Sequence, residues 1–154
     1  MGFKEFNENN VKYPGGVYIS VDLTPDSIAR INQYINAYLP DLEKNSSLHC
    51  TLIYSAVPSN IEPIIEDYRA SGTFKQFNTF GPNKDTLVAE IKCPKLTQRN
   101  QKLVRDYDYK SDYGEYSPHV TFGYHYKGTL ELPPIDFPIE FINEHIEPLN
   151  PDWK

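Results

Sequence analysis

The clearest alternation of apolar and polar residues runs from residue 17 to residue 23, where every second side chain is apolar and Tyr18 lies among the polar ones. A period of two is typical of a half-buried strand. A helix is predicted to follow, because Thr24 can cap it and Pro25 suits its first turn. Apolar residues then recur at helical spacing until Pro40, which ends the helix.

The rest of the chain alternates in the same way between strand-like and helix-like patterns. The predicted strands cover about 48–55, 73–80, 85–91 and 118–126, and the predicted helices cover about 60–72 and 95–110. Prolines are frequent after residue 126, so we expect at most an edge strand near 135–142. Alternating strands and helices favour a mixed α/β arrangement with the helices covering the outer faces.

Two of the predicted strands carry the same short motif, His-x-Thr, at His49–Thr51 and at His119–Thr121. Side chains two residues apart on a strand point to the same face, so each His shares a face with its Thr. Strict alternation puts the intervening apolar residues, and also Tyr54 and Tyr124, on the opposite face. One such motif is a weak signal, but two copies 70 residues apart indicate an internal repeat. If the strands are neighbours, two imidazoles and two hydroxyls meet in one cleft.

These residue types suit cleavage of a phosphodiester without a metal. Histidine titrates near neutral pH, so a neutral imidazole can take the proton of a ribose 2′-OH while a protonated one donates to the leaving 5′ oxygen. The threonine hydroxyls can donate to the non-bridging phosphate oxygens. The sequence leaves open which His is the base. His125 is too far along its strand to join the site, His145 is expected to be solvated, and the Cys50 thiol faces away, so no metal site is predicted.

Composition limits the function classes. The length of 154 residues suits one domain or two small lobes, and the net charge of −6 without a Lys/Arg cluster argues against binding long nucleic acid. No apolar run approaches a membrane span and no signal peptide is visible, so we expect a soluble protein with no membrane role. Two cysteines are too few for a disulfide framework, which favours the reducing cytoplasm.

The paired motifs resemble those of the two-histidine (2H) phosphoesterase superfamily. Within it, the chain is most similar to the phage anti-CBASS nucleases. The features that carry this similarity are its length, the Pro14-Gly15-Gly16-x-Tyr18 stretch and the acidic tail ending in Trp153. The resemblance implies an α+β fold of two pseudo-symmetric lobes, with antiparallel sheets lining a central cleft and helices outside. It also implies a phosphodiesterase that cleaves 3′–5′ bonds of cyclic di- and trinucleotides such as cGAMP. A phage would use it in the cytoplasm of the infected bacterium to evade CBASS immunity, and no cofactor is implied.

The resemblance assigns roles residue by residue. The implied catalytic residues are His49, Thr51, His119 and Thr121, and the implied substrate-binding residues are Tyr18, Phe80, Glu147 and Trp153. Phe80 is chosen because a strand end beside Gly81-Pro82 should be exposed. We expect one domain over 1–154, with pseudo-repeats at about 17–70 and 73–142. The tail 143–154 is expected to close as a lid, unless Trp153 only pins it to the body.

Two rival functions remain open at this stage. One is an RNA-end 2′,3′-cyclic phosphodiesterase or ligase of the same superfamily, which should need a more basic surface than this charge provides. The other is a non-catalytic sponge that binds cyclic nucleotides without cutting them. The sequence makes no prediction about protein partners.

Overall fold

The computed structural model describes residues 11–62, 67–109 and 115–149. In these ranges the chain forms seven strands and two helices. In chain order they are β1 (Val17–Leu23), α1 (Pro25–Tyr38), β2 (Glu43–Lys44), β3 (His49–Ser55), β4 (Arg69–Phe80), β5 (Thr86–Lys92), α2 (Pro94–Tyr107), β6 (His119–Tyr124) and β7 (Ile139–Pro148). Neither described helix is long and apolar enough to cross a membrane.

All the strand pairs are antiparallel, and six of the strands form a closed circuit of pairings: β1–β3–β6–β5–β4–β7 and back to β1. The short β2 pairs with β6 beside β3. The apolar faces of the strands share one core with the helices, to which α1 contributes Ile31 and Ile35 and α2 contributes Leu96 and Leu103. The predicted mixed α and β fold is confirmed.

The first helix follows the local signals in the sequence. The Thr24 side chain accepts a hydrogen bond from the Ser27 amide at 3.2 Å, and Pro25 occupies the first turn. Capping of this kind satisfies an amide that the helix leaves without a partner. The helix ends at Tyr38, two residues before Pro40, so this prediction is confirmed.

The predicted helix over 60–72 is wrong wherever the structure describes it. Residues 60–62 and 67–68 are not helical, residues 63–66 lie outside the described ranges, and 69–72 begin the strand β4. β4 pairs with β7 on one side and with β5 on the other, and these tertiary pairings decide the conformation of residues 69–72. Gly72, predicted to end the helix, instead allows close approach: a Cβ there would lie 2.5 Å from Cγ2 of Ile91.

The strand predicted near 135–142 is longer and more central than expected. It is β7, which runs from Ile139 to Pro148 and lies between β1 and β4 rather than at an edge. The prolines do not prevent this, because Pro138 precedes the strand and Pro148 is its last residue. Residues 143–148 therefore belong to the sheet, which corrects the start of the expected lid, and residues 150–154 lie outside the described ranges. The division into pseudo-repeats stays a prediction.

Candidate active site

The two His-x-Thr motifs lie on adjacent strands, as the sequence predicts. Cys50 of β3 is paired with Val120 of β6, and both are fully buried. In an antiparallel pair this register puts His49 opposite Thr121 and Thr51 opposite His119, all on the face away from Cys50. The four side chains form a rectangle with the histidines on one diagonal, where Cβ atoms are typically about 7–8 Å apart. We call this arrangement the catalytic rectangle, after the role that the sequence predicts for it.

Each imidazole is held by a backbone carbonyl two residues before it. His49 Nδ1 lies 2.8 Å from the oxygen of Ser47, and His119 Nδ1 lies 3.0 Å from the oxygen of Ser117. A carbonyl only accepts, so Nδ1 carries the proton in both rings. Nε2 is therefore the nitrogen that accepts a proton when the ring is neutral and donates one when it is charged.

Tyr18, predicted to face the cleft from β1, reaches the catalytic rectangle. Its hydroxyl lies 2.7 Å from His49 Nε2 and 2.8 Å from Thr51 Oγ1. When His49 is neutral, Thr51 donates to Tyr18 and Tyr18 donates to His49. Burial raises the pKa of Tyr18, so the phenol is protonated at neutral pH.

Phe80 lies against the other histidine. Its ring centroid is 5.1 Å from that of His119, and the two ring planes are nearly perpendicular, at 89°. Each of the two imidazoles thus has an edge-to-face aromatic neighbour, since Tyr18 meets His49 at 88°. Among the described residues, none makes a hydrogen bond to Nε2 of His119, in contrast to His49.

The family model described as "Anti-CBASS protein Acb1" matches residues 15–154. The chain belongs to the Acb1 family of anti-CBASS proteins. The Acb1 protein of Vibrio phage KVP40 is 28% identical over 144 residues, which cover 90% of each chain. That of Enterobacteria phage T4 is 23% identical over 161 residues, covering 99% of this chain and 96% of its relative.

Solved structures show the same fold. E. coli LigT complexed with NADP+ superposes with a TM-score of 0.58 at 13% identity, covering 88% of this chain and 87% of LigT. A structure described as a phosphoesterase gives a TM-score of 0.61 at 13% identity, covering 86% of this chain and 87% of the other. Membership of this family confirms the prediction of an anti-CBASS phosphodiesterase, and the solved structures confirm the predicted fold.

A carboxylate that the sequence analysis did not single out supports one side of the site of this Acb1-family protein. Glu90 on β5 is directly opposite His119 and only 6% exposed. Its oxygens accept hydrogen bonds from Gln76 at 2.6 Å, Ser117 at 3.0 Å and Asn78 at 3.3 Å. Since Ser117 also holds His119 through its carbonyl, this network fixes the backbone that orients the imidazole.

An acidic residue also stands across from the first histidine. Asp22 of β1 is paired with His49, and its carboxylate lies 2.7 Å from Nε2 of His145 on β7. His145, expected to be merely solvated, is therefore part of the sheet and has a specific partner. His125 follows the end of β6 and bonds to Glu43 at 2.6 Å, outside the catalytic rectangle.

Two further residues, Glu147 and Trp153, are predicted to bind substrate. Glu147 is on β7, paired with Tyr18 and exposed, whereas Trp153 lies outside the described residues. The Cys50 thiol is buried behind the site, as expected, and burial raises its pKa to about 11. No group of three metal-ligating side chains is found within the described residues.

The predicted positions of Tyr54 and Tyr124 are wrong. Both were expected behind the strands, yet Tyr54 pairs with Tyr18 on the site face and Tyr124 lies on the face of Thr121. A β-bulge directly after each threonine adds one residue and reverses the alternation from there on. Period-two reasoning has no signal for this extra residue.

Proposed function

We propose that this protein cleaves 3′–5′ phosphodiester bonds of cyclic di- and trinucleotides such as cGAMP, by histidine acid–base catalysis without a metal. It would act in the cytoplasm of an infected bacterium and remove the signal that CBASS immunity depends on. The observation that carries the proposal is the catalytic rectangle, in which His49 and His119 lie diagonally across a site lined by two threonine hydroxyls. Membership of the Acb1 family supports the choice of substrate class.

The diagonal arrangement suits an in-line displacement at phosphorus. The neutral imidazole takes the proton of the ribose 2′-OH through Nε2, and the 2′ oxygen attacks the adjacent phosphorus. The bond from phosphorus to the 5′ oxygen breaks, and the protonated imidazole on the other side gives its proton to that oxygen. The first product is a 2′,3′-cyclic phosphate with a free 5′-OH, and water can then open the cyclic phosphate. Each proton transfer contributes about 10²–10⁴-fold to the rate.

Thr51 and Thr121 act on the charge that builds on the non-bridging oxygens. Each hydroxyl lies opposite the histidine of the other strand, so the two reach the phosphate from opposite sides. In the free protein Thr51 already bonds to Tyr18, which also occupies His49 Nε2. Substrate must therefore displace the Tyr18 hydroxyl or share its hydrogen bonds, which makes Tyr18 a substrate-binding residue.

The bases would be held by residues around the rectangle. Phe80, which lies perpendicular to the His119 ring and is partly exposed, offers an aromatic ring for stacking. Glu147, exposed and next to Tyr18 across the strands, can accept hydrogen bonds from a base edge. Trp153 is kept as a proposed substrate-binding residue and lies outside the described residues.

Chromatography of radiolabelled cyclic di- and trinucleotides incubated with the protein tests the proposal. Linear products are expected, with turnover unchanged in EDTA and a bell-shaped dependence on pH. The 2′-deoxy analogue should bind but stay intact, because it lacks the attacking hydroxyl. His49→Ala and His119→Ala should each lower kcat by about 10²–10⁴-fold.

Each rival function predicts a different chromatogram. Ligand released intact by the wild-type protein would indicate a nucleotide sponge. Cleavage of only linear RNA ends would indicate an RNA-processing enzyme. Loss of turnover in EDTA would rule out the metal-free scheme.

A further inference from the structure

We propose that Tyr54 and Tyr124 bind the two nucleosides on either side of the scissile phosphate, one tyrosine to each. This inference rests on the proposed function, because it assigns residues to the nucleoside parts of that substrate. Its basis is a pair of matched β-bulges that bring both side chains to the site face. Sequence alternation would place neither of them there.

The first bulge lies in β3, directly after Thr51. In the pairing with β1, Thr51 is opposite Ser20 and Ile53 is opposite the adjacent Ile19, so Leu52 is an extra residue. Beyond it, Ile53 turns to the core and Tyr54 stands opposite Tyr18. Tyr54 is therefore on the face from which Tyr18 reaches the catalytic rectangle.

The second bulge repeats this geometry in β6, directly after Thr121. Thr121 is opposite Val88 and Gly123 is opposite the adjacent Leu87, which makes Phe122 the extra residue. Gly123 is buried and Tyr124 returns to the site face. A bulge at the same position in both motif strands indicates that the two tyrosines are equivalent parts of the two halves.

The antiparallel register puts the tyrosines at opposite ends of the catalytic rectangle. β3 continues past Thr51 to Tyr54, whereas β6 continues past Thr121 to Tyr124 in the opposite direction. Each tyrosine lies two paired positions beyond its threonine, about 7 Å along the strand. The 3′ and 5′ nucleosides of a phosphodiester lie on opposite sides of the phosphorus. Each nucleoside therefore extends from the bound phosphate toward one tyrosine.

Both side chains are partly exposed to solvent. Tyr54 is 38% exposed and Tyr124 is 39% exposed, although each flanks fully or almost fully buried residues of its strand. Tyr54 also packs edge-on against Tyr18, with ring centroids 6.3 Å apart. A base stacked on an aromatic ring gains about 1–3 kcal/mol, and such stacking accepts any base. The pair can thus hold different cyclic nucleotides.

The test measures the Kd of the 2′-deoxy cyclic dinucleotide, which reports binding independently of cleavage. Tyr54→Ala and Tyr124→Ala should each raise Kd by about 5–150-fold, the range that 1–3 kcal/mol represents. Phe substitutions should keep most of the affinity, because they keep the ring. Tyr107→Ala is the matched control, since Tyr107 is also 39% exposed but lies on α2.

A mononucleotide 2′,3′-cyclic phosphate tests whether each tyrosine binds one nucleoside, because this ligand has only one. Only one of the two Ala variants should weaken its binding. If both Ala variants bind the dinucleotide analogue as tightly as wild type and keep their melting temperatures, the inference is overturned while the proposed function stands. Wild-type protein that neither cleaves cyclic dinucleotides nor binds the analogue would overturn both.

Discussion

Replacement of Glu90 by Gln tests whether the buried carboxylate network stabilises the fold behind His119. In the wild type the carboxylate accepts hydrogen bonds from Gln76, Asn78 and Ser117. An amide of the same shape keeps one acceptor oxygen but turns an NH₂ group toward a donor. The substitution therefore leaves the volume unchanged and removes charge-assisted hydrogen bonds.

The magnitude follows from the contacts. A hydrogen bond to a charged group contributes about 1.5–3 kcal/mol, and leaving a buried donor without its acceptor costs a similar amount. Gln76 is exposed and its bond contributes less, so we expect a total loss of about 2–4 kcal/mol in the free energy of unfolding. For a chain of this size that lowers Tm by roughly 4–16 °C.

The pH dependence gives a second signature. Burial opposes ionisation of Glu90, but the hydrogen bonds outweigh it and lower its pKa from the usual 4.5. A folded-state pKa below the unfolded one gives stability that is present above about pH 4.5 and is lost as the pH falls through the folded value. The difference between wild type and Glu90→Gln should therefore shrink in acid.

Urea unfolding at neutral and acidic pH measures both effects, with the exposed Glu140→Gln on β7 as control. The turnover of Glu90→Gln should also fall, because Ser117 carries the carbonyl that orients His119. Equal stabilities of Glu90→Gln and wild type at pH 7 would show that the network contributes nothing to folding.

Three other substitutions or treatments have defined outcomes. Tyr18→Phe removes the hydroxyl bonded to His49 and should cost about 1 kcal/mol of stability, read from urea midpoints, and reduce turnover less than His49→Ala does. Arg99→Ala leaves the fully buried Glu144 carboxylate without the partner that contacts it twice at 2.8 Å. The free energy of unfolding should fall by about 3–5 kcal/mol, read from urea midpoints. An unchanged midpoint would contradict a buried ion pair. Cys50, whose pKa burial raises to about 11, should resist alkylation at pH 8 in the native state and react after denaturation, as peptide mapping by mass spectrometry can show.

The catalytic rectangle could be predicted because its determinants are local. Each His and Thr are two residues apart in a regular stretch of strand, so the period of two holds between them. The period of two fails at the residue after each Thr, because Leu52 and Phe122 are the bulged positions. A bulge depends on how the neighbouring strand pairs, and one strand's sequence does not encode that register.

The other differences have the same origin in tertiary pairing. Residues 69–72 form the end of the helix predicted over 60–72, yet they pair with β7 as a strand. Glu90 falls on the polar face of a correctly predicted strand. Its burial depends on Gln76 and Ser117, which are distant in the sequence and meet it only in the folded sheet.

The position of β7 sets the order in which this fold can be completed. β7 is the last described strand to be synthesised, but it must fit between β1, the first, and β4. Until it arrives, β1 and β4 each present an unpaired edge to other chains, which is a known route to aggregation. Closure over such a long sequence separation is also slow. Changes in residues 139–148 should therefore lower solubility during synthesis as well as equilibrium stability, because Ile139 and Phe141 of this strand are fully buried.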